Sequence, residues 1–407
     1  MTYRMRTYLH TPIELHGDHY EIGYQLGEQT ANMLHERNKN QTFGTPIVPR
    51  SKWPSPAEYT VENYERREPE RFAEWDKMIK TLPKWITDEM HGVADGAKVP
   101  YEKVLFDRAH FPVVFGGSHA LTEDCDGFVA FGGATLGGRT IVAGNSEGTN
   151  ESTRLLNVYS IKNPNGMNMV YAHNCPGCIG SRAGLNEEGL AIWGNGVSVT
   201  SDEFGYMGYD HHITRRTVLE TCSNVDEAID CLKKMQRIGG SRVFLGDRER
   251  GAVVEYTSKH ISVLEPECEY QGGASPSFVI PEMAPYHYVL VDETDPKFTY
   301  GRAAKRGIFR TERFHELLKE YYGKLTPEMV PVICGDHGGR GTGLIRNTID
   351  GAALQGSDYT ICVHGSKVGD AYHTSSWGAI SVPDERKMYI AWGSPCQAEF
   401  VGFCVPE

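Results

Sequence analysis

Apolar positions recur at helical spacing early in this chain and switch to strand-like runs after about position 125. Ile22, Leu26, Thr30 and Leu34 share one face of a helix predicted over residues 20–37, and residues 57–95 are rich in charge and helix formers. The first 110 or so residues are therefore expected to be mainly helical. From Asp126 the stretch GFVAFGGATLGGRTIVAGNSEG loses nearly all charge, and it predicts a buried hairpin of two short strands turning at Gly137 and Gly138. Further strands are predicted at 156–161, 169–173, 190–199, 242–247 and 252–256, each bounded by Gly, Asn or Asp. Two helical patterns interrupt them. One covers 213–234, with a cap breaking it at 224–226; the other covers 303–322, with Ile308, Phe309, Phe314, Leu317 and Leu318 as its apolar stripe. The end returns to strands, SSWGAISVP and RKMYIAWG, around a turn at Asp384 and Glu385. Clustered helices beside antiparallel runs imply a layered α+β fold rather than the alternation of a parallel sheet, and the chain shows neither an internal repeat nor a low-complexity linker.

Composition narrows the partners. The chain has 407 residues, 40% of them hydrophobic, enough for one large mixed unit or two medium ones. With 41 basic and 53 acidic residues the formal charge is −12, which repels polyanions and removes nucleic acid as the expected partner. The N-terminus lacks an apolar core of signal-peptide length, and no stretch approaches the roughly 20 apolar residues of a membrane-spanning helix, so a cytoplasmic protein with no membrane partner is expected. The 10 cysteines are scattered irregularly, as a pool of reduced thiols would be.

One cysteine stands apart by position. Cys125, in TEDCDGFVAFG, opens the predicted hairpin immediately after an acidic turn. If the bond before it is broken, its own α-amine, with an ordinary pKa of about 7.7–8.0, lies beside the thiol and can serve as the base that a cysteine nucleophile otherwise takes from a histidine. Without that context a cysteine here is simply a small apolar core residue. Other groupings carry less chemistry. Cys175 and Cys178 form a C-x-x-C with no second pair and no following helix, so a redox, disulfide or zinc role is a secondary reading. His211 and His212 follow Asp210 at a helix start, as a cap or an exposed face would. The Gly-rich run at 335–343 has no Walker lysine and is expected to be a mobile loop.

The context of Cys125 resembles the segment that follows the nucleophile in the isopenicillin N acyltransferases and related linear-amide hydrolases, peptidase family C45 of the N-terminal-nucleophile (Ntn) hydrolases. The shared parts are Cys125, Asp126, the strand at 128–131, the turn at Gly137 and Gly138, the strand at 141–143, and Asn145-Ser146-Glu147. HGDHYEIGYQLGEQ and MHGVADGAKVPYEKVL are similar to that family's helical pro-segment. RAGLNEEGLAIWGNGVS resembles its G-x-N-x-x-G-L strand pair, GDH with TICVHG its paired Asp-His and Ile-Cys-x-His segments, and WGSPCQAEFVGF its ending.

The resemblance implies a four-layer αββα sandwich, with residues 1–124 as a helical pro-segment that stays bound and 125–407 as the catalytic chain, the two forming one integrated unit. It implies hydrolysis or acyl transfer on a small linear N-acyl amide through a Cys125 thioester, after self-cleavage between Asp124 and Cys125; hydrolysis demands only one substrate site and is favoured. No metal or organic cofactor is expected, and a homo-oligomer is allowed for. Glu147 would orient or charge-balance the Cys125 ammonium, where the plain reading is a solvated turn acid. Asn195 would donate to the oxyanion, where the plain reading is a strand-end turn residue. A second oxyanion Asn is expected where LVDETDP places Asp292, and a carboxylate there must be protonated or turned away. Asp124 stands where Gly is common and Asp126 where Ser or Thr is usual. With Asp292, these residues motivate the alternative of a catalytically silent binding module.

Overall fold

Helix α1 (His19–Asn40) turns Ile22, Leu26, Thr30 and Leu34 inward, all but inaccessible, as the spacing predicts. In the computed structural model, residues 12–40, most of 62–105, 125–149, 158–174, 176–203, 205, 208–287, 300–339, 348–349, 352–353, 359–368 and 371–404 are described. Asp124, Cys175 and Asp292 fall outside them. Pro83 separates α2 (Pro69–Thr81) from α3 (Lys84–Ala97), which ends at Lys98 in the left-handed region. Helices α1 and α3 cross at backbone contact because each carries two glycines one turn apart. A Cβ on Gly23 would stand 2.1 Å from the Glu89 carbonyl oxygen, and one on Gly96 2.1 Å from that of Tyr24.

The strands are β1 (Ile13–Gly17), β2 (Cys125–Gly132), β3 (Gly138–Thr149), β4 (Val158–Pro164), β5 (Val170–Asn174), β6 (Ala183–Asn186), β7 (Ala191–Val197), β8 (Gly240–Gly246), β9 (Gly251–Tyr256), β10 (Ile261–Leu264) and β11 (Tyr270–Ala274). A short pair, β12 (Thr348–Ile349) and β13 (Ala352–Ala353), precedes β14 (His364–Val368), β15 (Ala371–Val382), β16 (Lys387–Trp392) and β17 (Phe400–Cys404). The predicted 213–234 helix is two helices, α4 (His211–Thr221) and α5 (Val225–Lys234). Asp210 caps the first through the N–H groups of His212 and Ile213, and Asn224 caps the second through that of Glu227, so His211 and His212 open a capped helix. Two more helices, α6 (Tyr300–Glu320) and α7 (Val330–Cys334), follow β11.

One sheet has the order β1-β4-β5-β6-β7-β8-β9-β10, with β1 parallel to β4 and the rest antiparallel; the other runs β11-β2-β3-β15-β16-β17, with β14 added beside β15. Val129, Val142, Trp377 and Ile390 of the second sheet meet Ile161, Tyr171, Trp193 and Phe244 of the first in a shared core. Helices α4 and α5 cover the far face of the first sheet through Val218, Leu219 and Leu232, and α6 and α7 cover that of the second through Phe314, Leu317 and Ile333. These are the four layers of the expected αββα sandwich. Helices α1 and α3 form a further cluster with Leu15, Ile179 and Ile213.

Three expectations are corrected. Ile308 is 48% exposed, and the inward face of α6 runs through Arg310, Phe314, Leu317 and Leu318 instead. Cys178 is disulfide-bonded, so the thiols are not uniformly reduced. The start of the Gly-rich run is pinned rather than loose: Asp336 accepts two hydrogen bonds from Arg313 at 2.9 Å and one from the Gly338 N–H. Among the described residues no helix is long and apolar enough to cross a membrane.

Candidate active site

Cys125 is the first residue of β2, between β11 and β3, and only 3% exposed. Hairpin register sets it opposite Ser146, whose Oγ lies 3.6 Å from the Cys125 Sγ and 3.4 Å from Nη1 of Arg182. The Cys125 carbonyl accepts two hydrogen bonds, from the Ser275 N–H at 2.8 Å and from Asn195 Nδ2 at 3.2 Å. The residue is thus held both by the segment after the adjacent strand β11 and by the facing sheet.

Asn195 comes from β7, in the facing sheet, where Ser241 Oγ donates to its backbone carbonyl at 3.0 Å. Two residues earlier, on the same side of β7, Trp193 donates its indole N–H to the Asp126 carbonyl at 2.7 Å. Its ring lies against the backbone of the hairpin, because a Cβ on Gly127 or Gly144 would stand 2.4 or 2.3 Å from it. One strand therefore delivers a flat apolar cover and an amide donor to the opening of β2.

Strand alternation places the Cys125 thiol and the Ser146 hydroxyl toward the facing sheet, and Asp126, Asn145 and Glu147 toward α6. On that helix side Arg310 pairs with Asp126 and, at 2.8 Å, with Glu147 Oε1. Ser375 Oγ donates to the same Glu147 oxygen at 2.9 Å, and the Asn145 N–H donates to Asp126 at 3.2 Å. Arg310, Asp126 and Glu147 are 0%, 0% and 6% exposed. Glu147 is therefore not a solvated turn acid, and Asp126 is an ion-pair partner buried within the fold.

Two buried thiols nearby are shifted upward. Burial, then the Asp126 and Glu147 carboxylates, pushes the Cys334 thiol well above its ordinary value. Burial and then Cys396 do the same to Cys362. Of the expected site residues, Cys125 and Asn195 are brought into hydrogen-bond contact, Glu147 is set on the opposite face of the same hairpin, and Asp292 lies outside the described residues. Sequence reasoning missed Ser146, Arg182, Trp193 and Arg310. Ser146 was within reach of the hairpin register; an inward arginine on an otherwise amphipathic helix leaves no such signal.

Two facing sheets lie between helical layers, and a cysteine opens an inner strand of one of them. Residues 138–331 match the family model of acyl-coenzyme A:6-aminopenicillanic acid acyl-transferase. It is 25% identical over 353 residues to an uncharacterised protein of Archaeoglobus fulgidus, across 78% of this chain and 56% of the other, so it spans about half the length of that curated relative. Similar solved structures include a mutant of conjugated bile acid hydrolase from Clostridium perfringens, with TM-score 0.41 and 12% identity over 69% of this chain and 97% of that one. Another is the Caenorhabditis elegans ortholog of N-acylethanolamine-hydrolyzing acid amidase, with TM-score 0.39 and 13% identity over 69% of this chain and 100% of that one.

Proposed function

We propose that this chain is a cysteine Ntn enzyme that hydrolyses a small linear N-acyl amide, or passes its acyl group to an amine, through a thioester on Cys125. The observation that carries the reading is the placement of Cys125 as the first residue of a buried strand, with an amide donor from the facing sheet 3.2 Å from its carbonyl. In the intact chain the Cys125 nitrogen is an amide and cannot act as a base. The thiol would attack the Asp124 carbonyl, the acyl group would move from nitrogen to sulfur, and water would hydrolyse that thioester to leave a carboxylate on Asp124 and a free α-amine on Cys125.

In turnover that amine takes the thiol proton, the thiolate attacks the substrate carbonyl, and the amine's proton goes to the leaving nitrogen. Asn195 donates to the oxyanion, and Glu147, held by Arg310 and Ser375, balances the ammonium from beneath the hairpin. Asp292 would contribute at the oxyanion only as a protonated donor. Residues 1–124 remain docked as the small chain, supported by β1 on β4 and by the buried Glu89–Lys162 pair at 2.5 Å. Eight free cysteines among the described residues fit a cytoplasmic setting.

Intact-mass measurement on freshly purified protein tests the reading, alongside turnover of a panel of N-acyl amines and N-acyl amino acids. The expected result is two co-purifying polypeptides, 1–124 and 125–407, with Cys125→Ala remaining one inactive chain. A fully active wild type that stays uncut would overturn it.

A further inference from the structure

Beneath the site, three segments far apart in sequence bring four metal-binding side chains to one point. His337 follows α7, Cys362 and His364 lead into β14, and Cys396 lies in the turn after β16. One donor atom from each lies within 4.8 Å of all the others. His364 Nε2 is 3.5 Å from Cys362 Sγ and 3.0 Å from Cys396 Sγ, and the His337 and His364 rings meet edge to face at 4.9 Å. Cys362 is 0% and His364 6% exposed, and the buried Nε2 of His337 has no hydrogen-bond partner.

We propose that His337, Cys362, His364 and Cys396 hold one zinc ion in a closed structural site. Two sulfurs and two imidazole nitrogens are the donor set of a tetrahedral Cys2His2 centre. With Zn–S near 2.3 Å and Zn–N near 2.0–2.1 Å, a tetrahedron separates sulfur from nitrogen by roughly 3.5 Å, which is the scale of the observed spacings. Four protein ligands leave no open position, so the ion fastens the fold and takes no part in the reaction.

What it fastens is the support of Glu147. The Cys362 N–H donates to the Asp336 carbonyl at 3.0 Å, joining the first two segments. Between the two ligands Cys362 and His364, the Val363 N–H donates to Ser375 Oγ at 2.9 Å, and the Val363 carbonyl accepts from the Ser375 N–H at 2.9 Å. Ser375 Oγ in turn donates to Glu147. The metal therefore lies one residue and two hydrogen bonds away from a carboxylate at the opening of the catalytic hairpin.

Metal analysis of the full chain, purified without added metal and passed over a chelating resin, tests the site. Wild type and Cys125→Ala should each hold about one zinc per chain, so the result does not depend on the chemistry of Cys125. Cys362→Ser and His364→Ala should lose most of it. Should those variants not fold, cobalt exchanged into wild type decides the matter through sulfur-to-cobalt charge transfer and the intense visible bands of a tetrahedral ion. A metal-free wild type, iron in place of zinc, a Cys362–Cys396 disulfide seen by peptide mass, full retention in both variants, or cobalt without the sulfur band would each overturn the proposal.

Discussion

Taking a guanidinium and two carboxylates out of water costs several kcal/mol per ion, and the fold meets that cost only where the three remain together. Arg310 pairs with both Asp126 and Glu147, with all three side chains buried, so Arg310→Ala would strand two buried carboxylates. We expect a loss of about 3–5 kcal/mol in urea unfolding, with Arg310→Ala/Asp126→Ala costing less than the sum of the two single changes. A loss under about 1 kcal/mol would mean that the triad is not charged as described. Asn195→Ala should act differently, lowering kcat on the order of 10²–10³-fold with a smaller change in KM, because an oxyanion donor is felt mainly in the transition state. A pure KM effect would make Asn195 a substrate contact instead. These residues also mark what the sequence discloses at this scale. Cys125 and Asn195 were legible because their motifs name them, whereas Arg310 was hidden: helical spacing offers Ile308 as a core position, and a charged residue reads as solvated until its partners are known.

At the scale of elements, period and caps carried most of the fold. The hairpin at Cys125, the broken helix at Asn224 and the inward face of α1 follow from strand alternation, capping chemistry and 3.6-residue spacing, all of them local. Strand β11, YQGGA, was not legible, because two glycines and a glutamine give no alternation, and its pairing with β2 depends on residues about 140 positions away. The crossing of α1 and α3 was equally silent, since glycines in a helical run read as weak helix formers rather than as a contact. Yet a Cβ on Gly27 would fall 2.3 Å from the Val93 carbonyl oxygen, so Gly27→Leu must force the helices apart. Hydrogen exchange should then show lost protection in α1 and α3 while β5 to β9 keep theirs. Unchanged exchange in both helices would count against backbone contact at this crossing.

For the molecule as a whole, the N-terminal helices are joined to the sandwich by charge as well as by apolar packing. Glu89 of α3 meets Lys162 of β4 and Arg216 of α4, and Arg216 also pairs with Glu220, 3.4 Å from His19 of α1. Burial alone would raise the Glu220 carboxyl, but Arg216 and then His19 overcome it and hold the group below its ordinary 4.5. A carboxyl depressed by folding stabilises the native state above its unfolded pKa, and that contribution is lost as pH falls through the folded value. The difference in urea midpoint between wild type and Glu220→Gln should therefore not shrink from pH 7 to 5, where His19 gains charge, and should fall only below about 4.5. A difference that already shrinks between pH 7 and 5 would contradict this assignment.

Strand β1 has a consequence of its own for how such a protein can be made. It lies along β4 in parallel, Ile13 beside Ser160, and it belongs to the piece that a cut before Cys125 would set free. A polypeptide begun at Cys125 would expose the bare edge of β4, a row of unpaired amides and carbonyls that another copy can extend. The two halves are then a donated-strand pair. Translated as one precursor, they would be in register before any cut; expressed apart and mixed, the larger half should aggregate before the smaller can reach it.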